Sequence, residues 1–336
     1  MRARDEVTVG IDLSGSNVRA AVVDAAGRVL GQERHRTLSK EPPQVAEAVV
    51  RAAKTACGAA GLPFGEARAL GVGIAGHVEK RSGLVTSAPS LGWKDVPLQK
   101  LLQARAPKLP MTFACDLAAA AWGERAAGAG KGIDNLVVVL VGSAVGAGMV
   151  LSGRLHEGAN GAAGELGHVK VHPGGRTCIC GQRGCLEAYA SAPSLAAWAR
   201  DDLRIAAAAA RATGKPSPVG RKLLDYAGGE PERITAAAME RAAHEGDELS
   251  NRLLDEAARL LGHAIANLLI AVNPARLLLG GGLLSGSPRM RRTVTEAIEQ
   301  HLSQNARAAV HIAAPALEED AAVVGAALLA REALSR

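Results

Sequence analysis

The chain opens on a short β-rich apolar run, residues 7–13, which stops at the small polar turn Ser14-Gly15-Ser16-Asn17. A second run covers 18–24 and ends at Ala25-Ala26-Gly27-Arg28, so the start predicts an antiparallel meander. Residues 43–60 place apolar positions at helical spacing and end near Gly58 and Gly61. Strands are expected over 69–74 and 109–113, then an alanine-rich helix over 117–127. A second series begins with a strand at 136–141, turns at Gly142-Ser143 and returns over 148–151. The two series are weakly alike. Val18 follows Gly15-Ser16 as Val145 follows Gly142-Ser143, and Gly27-Arg28 and Gly153-Arg154 close the two hairpins at nearly equal distance. A duplicated strand–turn–strand unit explains this, and so does chance. Residues 191–271 are expected to be mostly helical, with an alanine-rich stretch at 205–210 and a loop over 214–220. A short buried strand, 277–279, runs into Gly280-Gly281-Gly282, and an apolar helix over 321–334 needs a surface to cover it.

Length changes this picture first: 336 residues exceed one ordinary core and suit two domains. With 48% hydrophobic and 21% charged residues a packed soluble protein is expected, and at 2% aromatics its core must be built from Ala, Val and Leu. That scarcity leaves almost no platforms for stacking nucleic-acid bases. The net charge of +6 is spread along the chain, with only short pairs such as Arg291-Arg292. It reads as a solvated surface that would also attract an anionic nucleotide, and no nucleic-acid partner is expected. The charged start and the brief 7–13 run do not make a secretory signal. The uncharged stretch 136–153 holds four glycines and two serines, so it reads as strand, turn, strand and not as a membrane helix. Five cysteines, three of them crowded together, argue for metal binding in a reducing cytoplasm over a disulfide framework.

The strongest local signal is His168 followed by Cys178, Cys180 and Cys185, the cysteines reading C-x-C-G-x-x-G-C. Three thiolates and an imidazole suit tetrahedral zinc, and four protein ligands make it structural. Gly181 and Gly184 permit the tight turns this needs; the alternative is three packed thiols and an unrelated histidine. The two Gly-Ser turns, with Gly15, Ser16 and Asn17 in one and Gly142 and Ser143 in the other, are either ordinary hairpins or backbone nests that cradle phosphate. Asp12, ending the first strand, can hold a hydrated Mg²⁺ that bridges phosphates. Gly280, Gly281 and Gly282 either lie beneath a nucleotide or mark a close backbone crossing. Asp116, before an alanine-rich helix, is either an N-cap or a catalytic group. Glu165 and Glu187, flanking the cysteines, can orient a polyol or be surface carboxylates.

Taken together these motifs resemble the ROK family of sugar kinases, sugar-sensing repressors and relatives, over almost the whole chain. Residues 10–24, GIDLSGSNVRAAVVD, look like its first phosphate motif, and 71–93 fit the next block. Residues 116–124 fit the helix that carries the catalytic aspartate. The most specific portion is 158–190, GANGAAGELGHVKV and then CICGQRGCLEAYA; 279–282 and 320–327 resemble the closing nucleotide-side blocks. The resemblance implies an α/β, two-lobed actin-like ATPase (ribonuclease H-like) fold with an interlobe cleft. It puts 1–115 plus 319–336 in the small lobe and 116–318 in the large one. It implies ATP, Mg²⁺ and structural Zn²⁺, with Asp116 as general base. Gly76, Ser90, Cys115, Glu165, His168 and Glu187 would lie around the sugar, His168 also binding zinc and the metal bracing the sugar loop. A homodimer or homotetramer is implied as well.

Several positions depart from the family pattern. Cys115 and Ala118 flank Asp116 where Asn is usual, and Ser90 stands for another Asn. Ala75 stands for Pro, and Ser14 and Ala144 for glycines of the two phosphate motifs. A lost hydrogen bond to a buried hydroxyl costs about 1–3 kcal/mol, so the acceptor sugar is less fixed than the chemistry. The expected reaction is transfer of phosphate to a hexose primary hydroxyl; an N-acetylhexosamine kinase or a catalytically impaired sugar-binding member are the alternatives. Repressors of the family carry a winged helix before the first phosphate motif, and here that motif begins about ten residues from Met1.

Overall fold

The computed structural model describes residues 7–214 and 217–335. Strands β1 (Thr8–Leu13), β2 (Asn17–Val23) and β3 (Val29–Arg36) form the expected meander, and α1 (Pro42–Ala59) packs on it. β4 (Leu70–Ile74) returns parallel to β1. A small antiparallel sheet follows, β5 (His77–Glu79), β6 (Leu84–Ala88) and β7 (Trp93–Pro97), and α2 (Leu98–Gln103) closes it. β8 (Met111–Cys115) then joins β4 in parallel. This strand starts two residues later than the apolar pattern suggests. Pro110 has no N–H for the ladder, and only its carbonyl is used, by Leu70 N at 2.9 Å.

Helix α3 (Asp116–Ala127) leads to the second series: β9 (Leu136–Val141), β10 (Val145–Leu151) and β11 (Arg154–Leu155). The helical region resolves into α4 (Glu187–Ala190), α5 (Ala192–Thr213), α6 (Arg221–Tyr226), α7 (Ala236–His244) and α8 (Glu248–Val272). Residues 215 and 216 of the expected loop lie outside the described residues. β12 (Arg276–Gly280), α9 (Gly282–Ser285), α10 (Pro288–His301), α11 (Gln304–Ala309), β13 (His311–Ala313) and α12 (Ala321–Ala333) complete the chain. Side chains of Ser191, Thr235, Asp247, Ser287 and Ser303 each accept a backbone N–H at the start of the following helix.

The two large sheets have one topology. Their orders are β3-β2-β1-β4-β8 and β11-β10-β9-β12-β13, a three-stranded meander extended by two parallel strands. Gly27 (φ 82°) and Gly153 (φ 73°) turn the matching corners, so the weak internal likeness reflects a repeated unit. This is the two-lobed actin-like arrangement.

Helix α12 finds its cover on the first sheet, where Thr8 Oγ1 donates to the Ala327 carbonyl at 2.9 Å. A Cβ at Gly10 or Gly71 would lie 1.8 Å from a carbonyl oxygen of α12, so glycine sets how closely helix and sheet approach. α12 also packs along α3, beside which Glu124 is fully buried. Its Oε2 accepts Ala129 N at 2.8 Å and Ala316 N at 3.1 Å, and its Oε1 accepts Leu317 N at 2.7 Å. One carboxylate thereby ties together the two connections between the repeated units. Among the described residues no helix is long and apolar enough to cross a membrane.

Candidate active site and metal cluster

Because β1, β4 and β8 are parallel, their carboxyl ends share one edge, the usual place for a ligand in such sheets. Asp12 lies there, and Asp116 follows directly on β8. Burial, and then the charge of Asp116, push the Asp12 carboxyl up to about 7, against the opposing pull of Arg19 and Arg34. Burial likewise holds Asp116 above the ordinary carboxylate range. Asp116 is not the N-cap that the local pattern suggests. Cys115 takes that place with extended backbone (φ −62°, ψ 143°), and Asp116 is the first helical residue. Its Oδ1 accepts Leu117 N at 2.8 Å and Cys115 Sγ at 3.3 Å, and among the described residues none donates to Oδ2.

In the first Gly-Ser turn, Ser14 N donates to Asn17 O (2.9 Å) and Asn17 N to Ser14 Oγ (3.1 Å). Thr37 braces it, donating N to Ser16 O and Oγ1 to Ser14 O. Among the described residues the N–H groups of Gly15 and Ser16 find no acceptor. Ser90 roofs the turn: a Cβ at Gly15 would stand 2.4 Å from its carbonyl. The second turn is built similarly, but the N–H of Gly142 is used, donating to Ala144 O at 2.9 Å. The N–H groups there with no acceptor among the described residues are those of Ser143 and Ala144, since Val145 N goes to Glu187 Oε2 at 3.0 Å. Gly142 faces the glycine run, its Cβ position 3.8 Å from Gly282 N. Gly281 (φ 98°) lies so close to Val141 that any side chain would overlap it, and Gly280 ends β12.

The acidic candidates converge from two parts of the chain. Glu187 is buried beneath the second turn, with Oε2 spent on Val145. Leu117, next to Asp116, packs on Gly146 of the same hairpin. Glu165 bonds His77 Nε2 at 2.8 Å, and Lys80 bonds Glu157 at 2.7 Å, so a hydrogen bond and an ion pair join the small sheet to the segment before the cysteines. Gly76 precedes His77 and fits only without a side chain, 2.3 Å from Ser87 O. The sequence reading passes over His77. Its signal was an imidazole placed one residue after a wedged glycine, and its partner is 88 positions away.

His168, Cys178, Cys180 and Cys185 come together, with one ligand atom from each all within 4.8 Å of one another. His168 Nδ1 lies 3.8 Å from Cys178 Sγ, and Cys180 Sγ 3.7 Å from Cys185 Sγ. Gly181 (φ 84°) and Gly184 (φ 79°) make the left-handed turns that gather the sulfurs. Lys170 Nζ donates to Cys185 Sγ at 2.9 Å. All five cysteines are free, and the donor set, three sulfurs and one imidazole nitrogen, fits tetrahedral zinc. His168 ends the short turn Leu166–His168 that directly follows Glu165, so the cluster anchors the backbone behind that carboxylate. Between this segment and α8 opens a cavity of about 600 Å³, lined by Glu165, Leu166, Val169, Leu260, Ala264 and Leu268 among others.

Comparison with known proteins agrees in extent. Residues 8–333 match the ROK family. A glucokinase of Streptomyces coelicolor is 33% identical over 327 residues, covering 97% of this chain and 98% of that protein. An N-acetylmannosamine kinase of Escherichia coli O1:K1 is 30% identical over 330 residues, 96% of this chain and 98% of its own length. The crystal structure of a ROK family glucokinase from Streptomyces griseus, in complex with glucose and AMPPNP, superposes with a TM-score of 0.80 at 30% identity, over 97% of this chain and 99% of that one.

Proposed function

The chain belongs to the ROK family, and on that premise we propose that it is an ATP-dependent sugar kinase that phosphorylates the primary hydroxyl of a hexose, as a glucokinase does. The reading is carried by one observation: Asp116 is enclosed beside Asp12 at the carboxyl edge of the first sheet, with Oδ2 open to a proton. Asp116 accepts the hydroxyl proton while the sugar oxygen attacks the γ-phosphorus in line; the bond to the bridging oxygen breaks and ADP leaves. The unpaired N–H groups of Gly15, Ser16, Ser143 and Ala144 donate to phosphate oxygens, which need donors that cost no reorganisation. Asn17 sets the end of the first turn, and the Gly280-Gly281-Gly282 run lies under the nucleotide. Asp12, whose charge is costly where it stands, suits a hydrated divalent cation; Mg²⁺ held there supplies positive charge to the phosphates.

On the sugar side Glu165 and the free oxygen of Glu187 accept hydrogen bonds from hydroxyls and the His168 Nε2–H donates one, with Gly76, Ser90 and Cys115 shaping the pocket. Structural Zn²⁺ on His168 Nδ1 and the three sulfurs leaves His168 Nε2 for the sugar and fixes the loop bearing Glu165. The cavity against α8, with Val169 and Ile270 exposed beside it, supports a homodimer contact, and five free thiols support a cytoplasmic setting.

ADP release coupled to a panel of hexoses tests the reading, with glucose expected as the preferred acceptor. Sugar binding without sugar-stimulated ADP release sinks it. A second reading, an N-acetylhexosamine acceptor, is favoured by the similarity to the N-acetylmannosamine kinase and by the short side chains at Ser90 and Cys115. N-acetylmannosamine and N-acetylglucosamine in the same panel separate the two.

A further inference from the structure

We infer that Cys115 is a positioning residue for the base: its thiol donates to Asp116 Oδ1 and so fixes Oδ2 as the oxygen that takes the substrate proton. The inference rests on the proposal that Asp116 is the base.

The geometry is specific to this pair. Cys115 ends β8 and caps α3 with extended backbone, which points its side chain back over the first helical residue. Its Sγ reaches Asp116 Oδ1 at 3.3 Å, and Leu117 N reaches the same oxygen at 2.8 Å. With two donors on one oxygen the carboxylate cannot rotate to exchange its oxygens without losing both. Each donor also favours the charged carboxylate, which otherwise suffers from burial. The thiol can play this part only while protonated. Burial and then the neighbouring Asp116 charge push it up to about 12, so it remains a donor at any working pH. The other carboxyl that acts at this edge of the sheet is Asp12 on β1, with Arg19 and Arg34 acting on it from β2 and β3. Substituting Cys115 removes none of these three charges.

The test uses the full chain with its best acceptor sugar. Cys115→Ala removes the donor, and Cys115→Ser keeps one. For Cys115→Ala the acid limb of the kcat profile should move upward by about 0.5–1 pH unit, with kcat on that limb falling by about three- to tenfold and KM for ATP unchanged. Cys115→Ser should hold the limb at its natural position. A purely structural role would lower the plateau or the amount of folded protein without moving the limb, so coincident limbs for the natural protein and Cys115→Ala overturn the inference. If Cys115→Ala does not fold, the natural protein still decides. Peptide mapping after iodoacetamide at pH 8 should leave Cys115 unmodified when the metal cluster is intact. Rapid alkylation would reveal a thiolate, which cannot donate. Failure of the underlying reading is distinguishable: no sugar would then stimulate ADP release in the natural protein, or, if only the base role is wrong, Asp116→Asn would retain turnover whatever the behaviour of Cys115.

Discussion

Glu124→Ala offers the sharpest test of how the two repeated units are joined. The Glu124 side chain is fully buried and satisfies three backbone N–H groups, those of Ala129, Ala316 and Leu317. Alanine leaves all three without an acceptor, at about 1–3 kcal/mol each. Two effects offset part of this: a water can enter the space left behind, and a buried carboxylate no longer has to be desolvated. A net loss of about 3–5 kcal/mol remains, in the range for breaking buried charged hydrogen bonds. At roughly 2–3 °C per kcal/mol for a chain of this size, Tm should fall by about 10 °C. Glu124→Gln should fall between. Its amide oxygen in place of Oε2 keeps Ala129 and Ala316, while its NH₂ group faces the Leu317 N–H, donor against donor. Thermal unfolding followed by circular dichroism reads both variants. A shift under about 2 °C for alanine would mean that the three N–H groups find other acceptors, and the clasp reasoning would be wrong.

The remaining predictions concern the site. Asp116→Asn should lower kcat by about 10²–10⁴ while sugar affinity by calorimetry stays within a few fold. The same variant has a stability signature. The folded Asp116 carboxyl holds its proton more tightly than the unfolded one, so its charge costs stability as pH rises through the window between the two values, and not below it. Asp116→Asn should therefore be more stable than the natural protein at neutral pH, with the gain vanishing in acid; an equal gain at both would refute the burial argument. Cys178→Ser, or exhaustive chelation, should release one zinc per chain by elemental analysis and weaken sugar binding before ATP binding, since the cluster stands behind Glu165. A fully active, metal-free protein would remove zinc from the account.

Much of this was legible in the chain. The apolar runs at 7–13, 18–24, 69–74 and 136–141 each became a strand, and the Gly-Ser turns fell between the expected strand pairs. The cysteine spacing foretold the cluster, because its ligands are near one another in sequence. Less visible was β3, whose charged residues alternate on an exposed strand, and the small sheet over 77–97, whose strands are three to five residues long and broken by turns. Asp116 misled locally because an aspartate before an alanine-rich run looks like a cap, and only the extended backbone of Cys115 shows that the helix starts one residue earlier. His77 and Glu124 were passed over because their partners lie far along the chain, beyond the reach of local pattern.

The last helix has a consequence for how the protein is made. Four of the five strands of the first sheet carry apolar residues whose cover includes α12, and nothing before residue 321 can supply it. During translation that face therefore emerges from the ribosome bare and stays so until residues 321–333 have followed it. The amino-terminal unit cannot mature first, as it would in a chain of sequential domains. It must wait, exposed to chaperones and to aggregation, for α12 to arrive.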